Sequence, residues 1–258
     1  MTTTPMTLTV IGCSGSFAGP DSAASCYLVE ADDADGRTWR ILLDLGSGAL
    51  GSLQRYADPA AVDAVFLSHL HPDHCMDLCG YYVLRKYHPG GALPPIPVWG
   101  PAGVAERMSR AYDLPAEHGM TSEFDFHEYD GPIPVGPFVV EPVPVAHPVP
   151  AYGLRVTADD RTLAYTGDTG PCAALDRLAG GAGLLLAEAS FRHGEENPDD
   201  LHLTGREAGD VAARNAVLRL VVTHVPPWYD AAEMLDEARS VFDGELTAAV
   251  PGATYTLG

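Results

Sequence analysis

The chain has 258 residues, 46% of them hydrophobic and 19% charged, enough for one large α/β domain or two small ones around a sizeable core. Its formal charge of −20, from 15 basic against 35 acidic residues, argues against a broad nucleic-acid-binding face, because phosphate contacts need clustered Lys and Arg. No apolar run approaches the length that spans a bilayer, and Met1-Thr2-Thr3-Thr4-Pro5 has no basic segment ahead of an apolar core, so neither a membrane span nor a signal peptide is expected. The cysteines, Cys13, Cys26, Cys75, Cys79 and Cys172, are sparse and odd in number; they make no disulfide framework, and the cytoplasm is the expected setting.

In chain order, short apolar runs predict strands at Leu8–Gly12, Cys26–Glu30, Ile41–Asp44 and Val62–Leu67. The first leads into Gly12-Cys13-Ser14-Gly15-Ser16, either a loop whose N–H groups meet phosphate or an ordinary strand-to-loop turn. Directly after the fourth comes Ser68-His69-Leu70-His71-Pro72-Asp73-His74. Imidazole and carboxylate are the ligands that zinc, manganese and iron prefer, and groups this crowded repel or dehydrate one another without a cation. Pro72-Asp73 predicts the start of a helix running through Leu78, Tyr82 and Lys86 until His88-Pro89-Gly90-Gly91 stops it. On that helix Cys75 and Cys79, four apart, are expected as small buried residues of one face rather than ligands. The proline-rich stretch Ala92–Pro150 predicts short strands and connections around one helix near Ala102–Tyr112.

The second half repeats the alternation. Strands are predicted at Leu154–Thr157, Thr162–Tyr165, Gly183–Ala187 and Leu218–Thr223, and helices at Cys172–Leu178, Arg206–Asn215 and Ala231–Phe242. With no repeat or long linker, the simplest organisation is a single domain over residues 1–258, two sheets face to face with helices outside. Asp44, His147 and His224 each end an apolar run, and Tyr165-Thr166-Gly167-Asp168-Thr169-Gly170 presents a carboxylate between glycines. Alone, each reads as a turn or cap residue; with the histidine cluster they supply ligands for two metals. His88, His118, His127 and His193 lack any surrounding motif and read as surface or loop residues.

The ordered set, from Asp44 through His69-x-His71-x-Asp73-His74 to His147, Asp168 and His224, resembles the metallo-β-lactamase superfamily over nearly the whole chain. The resemblance implies an α/β fold, the four-layer αβ/βα sandwich, with metals at one edge. It implies one metal on His69, His71 and His147, and a second on Asp73, His74 and His224. Asp168 and a hydroxide would bridge the two, while Asp44 would orient the cluster rather than bind. Two divalent ions are implied, zinc first, with manganese or iron as alternatives. Lactamases with cysteine at the second metal carry it where Asp168 stands, and the redox diiron branch carries Glu where His71 stands, so neither β-lactam nor redox chemistry is favoured.

Leu186-Ala187-Glu188-Ala189-Ser190-Phe191 and His202-Leu203-Thr204-Gly205 resemble the Glu–His pair of the RNase Z branch, as does the opening glycine/serine loop. The resemblance implies catalytic roles for Asp73, His202 and Glu188, and substrate contacts from Ser14 and Ser16. Only 20 residues separate His147 from Asp168, which leaves no room for the tRNA-gripping arm of RNase Z, and Val225-Pro226-Pro227-Trp228-Tyr229 replaces its basic segment. Leu8–Gly19 with Pro20-Asp21-Ser22, Ser68–Asp77, Tyr165–Cys172, and Asp200–Gly209 with Thr223–Trp228 resemble the actinobacterial, mycobacterial-type atypical cyclic-AMP phosphodiesterases. That similarity implies a small phosphodiester substrate, cyclic AMP cleaved to 5′-AMP, no large nucleic acid or membrane partner, and a possible homodimer. Trp228, after two prolines, either stacks on the purine or packs its own loop. The alternatives are another hydrolase on this scaffold (a short-RNA nuclease, or a lactone or thioester hydrolase) and a metal-binding regulator without turnover.

Overall fold

A computed structural model of the chain describes residues 5–115 and 117–257. Two sheets organise them. One runs, edge to edge, through Thr254–Leu257, Met6–Ser14, Cys26–Asp32, Thr38–Leu43, Ala64–Phe66, Ile96–Gly100 and Phe124–Glu128, with Ala23–Ala24 beside Met6–Ser14. The other runs through Glu245–Ala248, Arg219–Thr223, Leu184–Glu188, Arg161–Tyr165, Tyr152–Ala158, Phe138–Pro144 and Ile133–Val135.

Side chains alternate across a strand, and these sequences exploit both faces. Ile41 and Leu43 point between the sheets while Leu42 points to the helices; Leu184 and Leu186 divide from Leu185 and Ala187 in the same way. Strands apolar on both faces must be covered on both, which is why they read as unbroken hydrophobic runs. The core between the sheets joins Leu8, Tyr27 and Phe66 of one to Phe138, Leu154 and Val221 of the other. Helices Ala49–Leu53, Leu78–Lys86 and Val104–Ala111 cover the outer face of the first sheet, and Ala174–Ala179, Gly205–Arg214 and Ala231–Arg239 cover that of the second. The result is the expected αβ/βα sandwich.

Parallel pairing aligns the carboxyl ends that matter. Thr38–Leu43 pairs in parallel with Ala64–Phe66, and Arg161–Tyr165, Leu184–Glu188 and Arg219–Thr223 pair in parallel with one another. In such sheets ligands bind beyond the carboxyl ends of the strands, and here the ends in both sheets lead into the polar motifs.

Two expectations need correction. The helix after the histidine cluster is two helices, Pro72–Cys75 and Leu78–Lys86. The break falls at Met76-Asp77, where the Asp77 carboxylate accepts a hydrogen bond from the Leu50 N–H at 2.8 Å and ties the turn to another element. Cys75 and Cys79 therefore do not share one helical face; Cys75 is buried, with burial pushing its thiol up to about 12, while Cys79 is only half-buried. The short strands Glu245–Ala248 and Thr254–Leu257 were also not foreseen. Among the described residues no helix is long and apolar enough to cross a membrane.

Candidate metal centre

Each polar residue of the motif set leaves the end of a strand or opens a helix at one edge of the sandwich. Asp44 and His224 sit immediately after strands with φ of 61° and 56°, left-handed conformations that cost a non-glycine residue energy and persist only where surrounding bonds enforce them. Gly15 makes this junction possible: a Cβ there would lie 2.2 Å from the His224 carbonyl oxygen.

Two groups of ligand-type atoms converge. In the first, His71 Nδ1 lies 3.0 Å from His69 Nε2 and 3.3 Å from His147 Nε2. In the second, His74 Nε2 and His224 Nε2 are 3.2 Å apart, with Asp73 Oδ2 at 3.4 Å and 3.2 Å from them. Asp168 spans both: its Oδ1 lies 3.2 Å from His74 Nε2 and 3.4 Å from His224 Nε2, and its Oδ2 lies 3.7 Å from His69 Nε2.

The tautomers follow from the outer partners. His147 Nδ1 donates to the Leu201 carbonyl at 3.0 Å, which leaves the Nε2 lone pair facing His71. The Ser190 hydroxyl donates to the His224 carbonyl at 2.7 Å and so accepts from His224 Nδ1 at 2.9 Å, freeing Nε2. His74 Nδ1 donates to Asp44 Oδ2 at 2.7 Å. Asp44 is fully buried and also accepts from the Ser68 N–H (2.7 Å), the Ser68 hydroxyl (2.8 Å) and the Tyr165 hydroxyl (2.7 Å). It touches His74 from behind, as expected of an orienting carboxylate.

The protonation states of all but one of the shifted ligands suit metal binding. Burial holds His69, His71 and His147 below the ordinary imidazole range, so each offers a lone pair. Burial alone would raise Asp73 and Asp168, but the facing imidazoles His224 and His74 outweigh it and hold both carboxyls well below their usual range. His74 moves the other way. Burial lowers it, yet Asp168 and Asp44 raise it well above an ordinary imidazole, so a proton here does the work of a cation. Asp168 Oδ1 is buried and accepts no hydrogen bond. Converging lone pairs and an orphaned buried carboxylate oxygen form a set that a cation satisfies and side-chain packing does not.

Beside these groups, Glu188 Oε1 accepts from His202 Nδ1 at 2.9 Å and from the Thr169 N–H at 2.8 Å, and Oε2 accepts from the Ser190 N–H at 3.3 Å. Glu188, His202 and His224 also lie within common ligand reach. The carboxylate is already occupied by three N–H donors, so the pair acts as a hydrogen-bonded dyad. Burial would lower His202, but the charge of Glu188 and its hydrogen bond outweigh that and raise it to about 9. The helix that follows is fixed by a capping box of Thr204 and Glu207, which anchors His202 two residues upstream.

The outer residues divide. Ser14 spends its hydroxyl on the Phe17 carbonyl at 2.7 Å, closing its own loop. The Ser16 N–H points at His224 Nε2 from 3.3 Å, so its backbone donor, not its exposed side chain, faces the cluster. Trp228 is 60% exposed and packs against Phe17 with ring centroids 5.2 Å apart. His118 and His193 are exposed, His88 is half-buried in a turn, and His127 stacks on Trp99, all apart from the ligand groups.

Residues 39–225 match the model of the beta-lactamase superfamily domain. The chain belongs to the metallo-β-lactamase superfamily. A superfamily protein from Bacillus subtilis, the metallo-β-lactamase fold protein YhfI, superposes with a TM-score of 0.87 at 28% identity, over 98% of this chain and 100% of that one. An uncharacterized protein of Mycobacterium leprae is 45% identical over 97% of this chain and 88% of its own length. A ribonuclease Z of Myxococcus xanthus is 28% identical over 84% of this chain and 88% of that protein. The chain is a metal-dependent hydrolase of this superfamily, with a His/Asp cluster able to hold metal ions.

Three residues at the superfamily site escaped the sequence reading: Ser68, Tyr165 and Ser190. Ser190 follows Glu188 closely and Tyr165 ends a strand, but nothing local marked their partners, which stand 34 and 121 residues away. Ser68 is adjacent to His69, and a serine before a histidine cluster carries no signal of its own.

Proposed function

We propose that this hydrolase is a two-metal phosphodiesterase that cleaves 3′,5′-cyclic nucleotides, cyclic AMP to 5′-AMP being the reaction its resemblance implies. The observation that carries the reading is the Glu188–His202 dyad, 2.9 Å long and set beside the second ligand group. A phosphodiester needs a proton delivered to a departing alkoxide, and an imidazole held protonated near neutral pH can deliver it.

His69, His71 and His147 would hold one ion and Asp73, His74 and His224 the other, with Asp168 shared. Zinc is preferred for this donor set, with manganese or iron as alternatives. When bound, the ions supply an activated water near neutral pH and offset charge on the phosphoryl oxygens. Asp44 keeps His74 in its ligating tautomer. Glu188 holds His202 by Nδ1, leaving Nε2 to face the substrate and protonate the 3′-oxygen as it leaves. The Ser16 N–H, aimed into the cluster, is the donor for a phosphoryl oxygen.

Likeness to a ribonuclease Z supports phosphoester chemistry, but the chain is not built for long RNA. Between His147 and Asp168 the structure has only the hairpin of Tyr152–Ala158 and Arg161–Tyr165, and the protein carries a charge of −20. The test is a pair of variants. His71→Ala is expected to abolish turnover of cyclic nucleotides, and His202→Ala to lower the rate with the metals retained. Full activity in both would overturn the assignment, and a lactone or thioester cleaved in place of any phosphodiester would move it to the ester class.

A further inference from the structure

Among the described residues, one cation in a cavity shared with His71 has no acceptor. Of the 15 Lys and Arg residues, all but two reach a carboxylate, carbonyl or hydroxyl oxygen; Arg55 and Arg107 alone, among the described residues, do not. Arg55 is exposed. Arg107 is half-buried on the helix Val104–Ala111 and lines a cavity of about 350 Å³ walled by Leu70, Pro72, Pro101, Val149 and Pro150. His71 lines the same cavity, so it opens directly onto the first ligand group. Half-buried guanidinium groups normally find acceptors, and a chain with 35 acidic residues has no shortage of them. This one is left open in an apolar slot next to the chemistry.

We infer that the cavity is the nucleobase subsite and that Arg107 reads the acceptor edge of a purine; this rests on the phosphodiesterase reading above. The volume is that of a small-ligand pocket, and proline and aliphatic walls suit the faces of a flat heterocycle. The guanidinium supplies the polar contact that fixes orientation. Its fork of parallel N–H donors matches two adjacent acceptors, which guanine presents as O6 and N7. Adenine presents N7 beside an amino donor, so it gains one bond and sets N–H against N–H. The subsite therefore accepts both purines but binds cyclic GMP more tightly than cyclic AMP. The competing anchor is the exposed Phe17–Trp228 pair on the His224 flank. The cavity on that flank is lined by Ser14, Pro226 and Pro227 but not by Trp228, which leaves the ring outside it.

The experiment compares wild type with Arg107→Ala, Arg107→Lys and Trp228→Ala. Metal-loaded protein is assayed on cyclic GMP, cyclic AMP and bis(p-nitrophenyl) phosphate. Metal-stripped protein is probed with guanosine and adenosine by saturation-transfer NMR, which needs no turnover. Expected for wild type is a KM for cyclic GMP about fivefold or more below that for cyclic AMP, as one bidentate contact supplies. Arg107→Ala erases that difference by raising the cyclic GMP KM with kcat little changed, and Arg107→Lys, lacking the fork, does not restore it. The guanosine signal exceeds that of adenosine and is lost in Arg107→Ala. Equal KM values that Arg107→Ala leaves in place, with the cyclic nucleotides still hydrolysed, overturn the subsite alone. A KM rise in Trp228→Ala but not in Arg107→Ala puts the base on the other flank and overturns it too. No hydrolysis of any phosphodiester removes the phosphodiesterase reading and this inference with it.

Discussion

Glu188 Oε1 stands 2.9 Å from His202 Nδ1, and the same oxygen accepts the Thr169 N–H from the strand-end loop that carries Asp168. The dyad is thereby tied to the ligand groups through the single peptide bond between Asp168 and Thr169. A shift of Glu188 would move both the proton donor and the shared carboxylate.

Removing the imidazole should therefore cost rate and not metal. His202→Ala is expected to lower kcat about a hundredfold to ten-thousandfold, the usual worth of a positioned acid. Metal content by mass spectrometry should stay at the wild-type value. Loss of the metals in this variant would make His202 a ligand instead.

The dyad also fixes the sign of a pH dependence. Burial lowers His202 and Glu188 raises it more, to about 9, so the proton is present at neutral pH and lost as pH rises through that value. Bound cations repel that proton, so the alkaline limb of kcat in the loaded enzyme falls at or below pH 9. In Glu188→Gln the raising charge is gone while burial remains, and the limb should move to lower pH. An identical limb in both proteins would separate the profile from His202.

Metal binding should release a proton. Asp168 and Asp44 hold His74 protonated well above the ordinary imidazole range, and a cation on Nε2 displaces that proton. Affinity is accordingly expected to rise with pH, and titration with zinc in weak buffer should acidify the solution. A pH-independent affinity between 6 and 8 (roughly the span over which imidazoles titrate) contradicts the protonation assigned to His74.

Asp44 is the residue on which His74 depends. Asp44→Asn keeps the shape but loses the charge that faces His74 Nδ1–H, and weaker binding by about 10- to 100-fold is expected, as for other supporting partners of metal ligands. Competition with a chelating dye measures it. Unchanged affinity would leave Asp44 with a purely structural role.

Tyr165→Phe separates folding from binding. The change deletes a buried hydroxyl that donates to Asp44 at 2.7 Å, with the ring's packing against Tyr27 retained. Urea unfolding of the metal-free form should show a loss of about 1.5–3 kcal/mol, the range for hydrogen bonds to a charged group. A change below about 0.5 kcal/mol would mean that water or a neighbouring donor replaces the hydroxyl.

What could be read from the sequence was whatever is local. The cluster from His69 to His74 is contiguous, Asp44, His147 and His224 each end an apolar run, and Asp168 stands between glycines just past a strand, so local sequence marked them. The two-sheet arrangement followed from strand runs with helices interposed in both halves, and runs such as Ile41–Leu43 and Leu184–Ala187 are apolar because both faces are covered. Long-range bonds left no trace. The break at Asp77 depends on the N–H of Leu50, and the support of Asp44 depends on Tyr165. Glu245–Ala248 and Thr254–Leu257 are short edge strands, too brief to show an alternation. The open guanidinium of Arg107 became visible only once the other cations had found their acceptors.

The most direct measurement is product analysis on protein of known metal content, incubated with 3′,5′-cyclic AMP and cyclic GMP beside a generic diester and a lactone. The account predicts release of the 5′-monophosphate, abolished by a chelator and restored by zinc or manganese. Cleavage of the lactone with every phosphodiester left intact would contradict it.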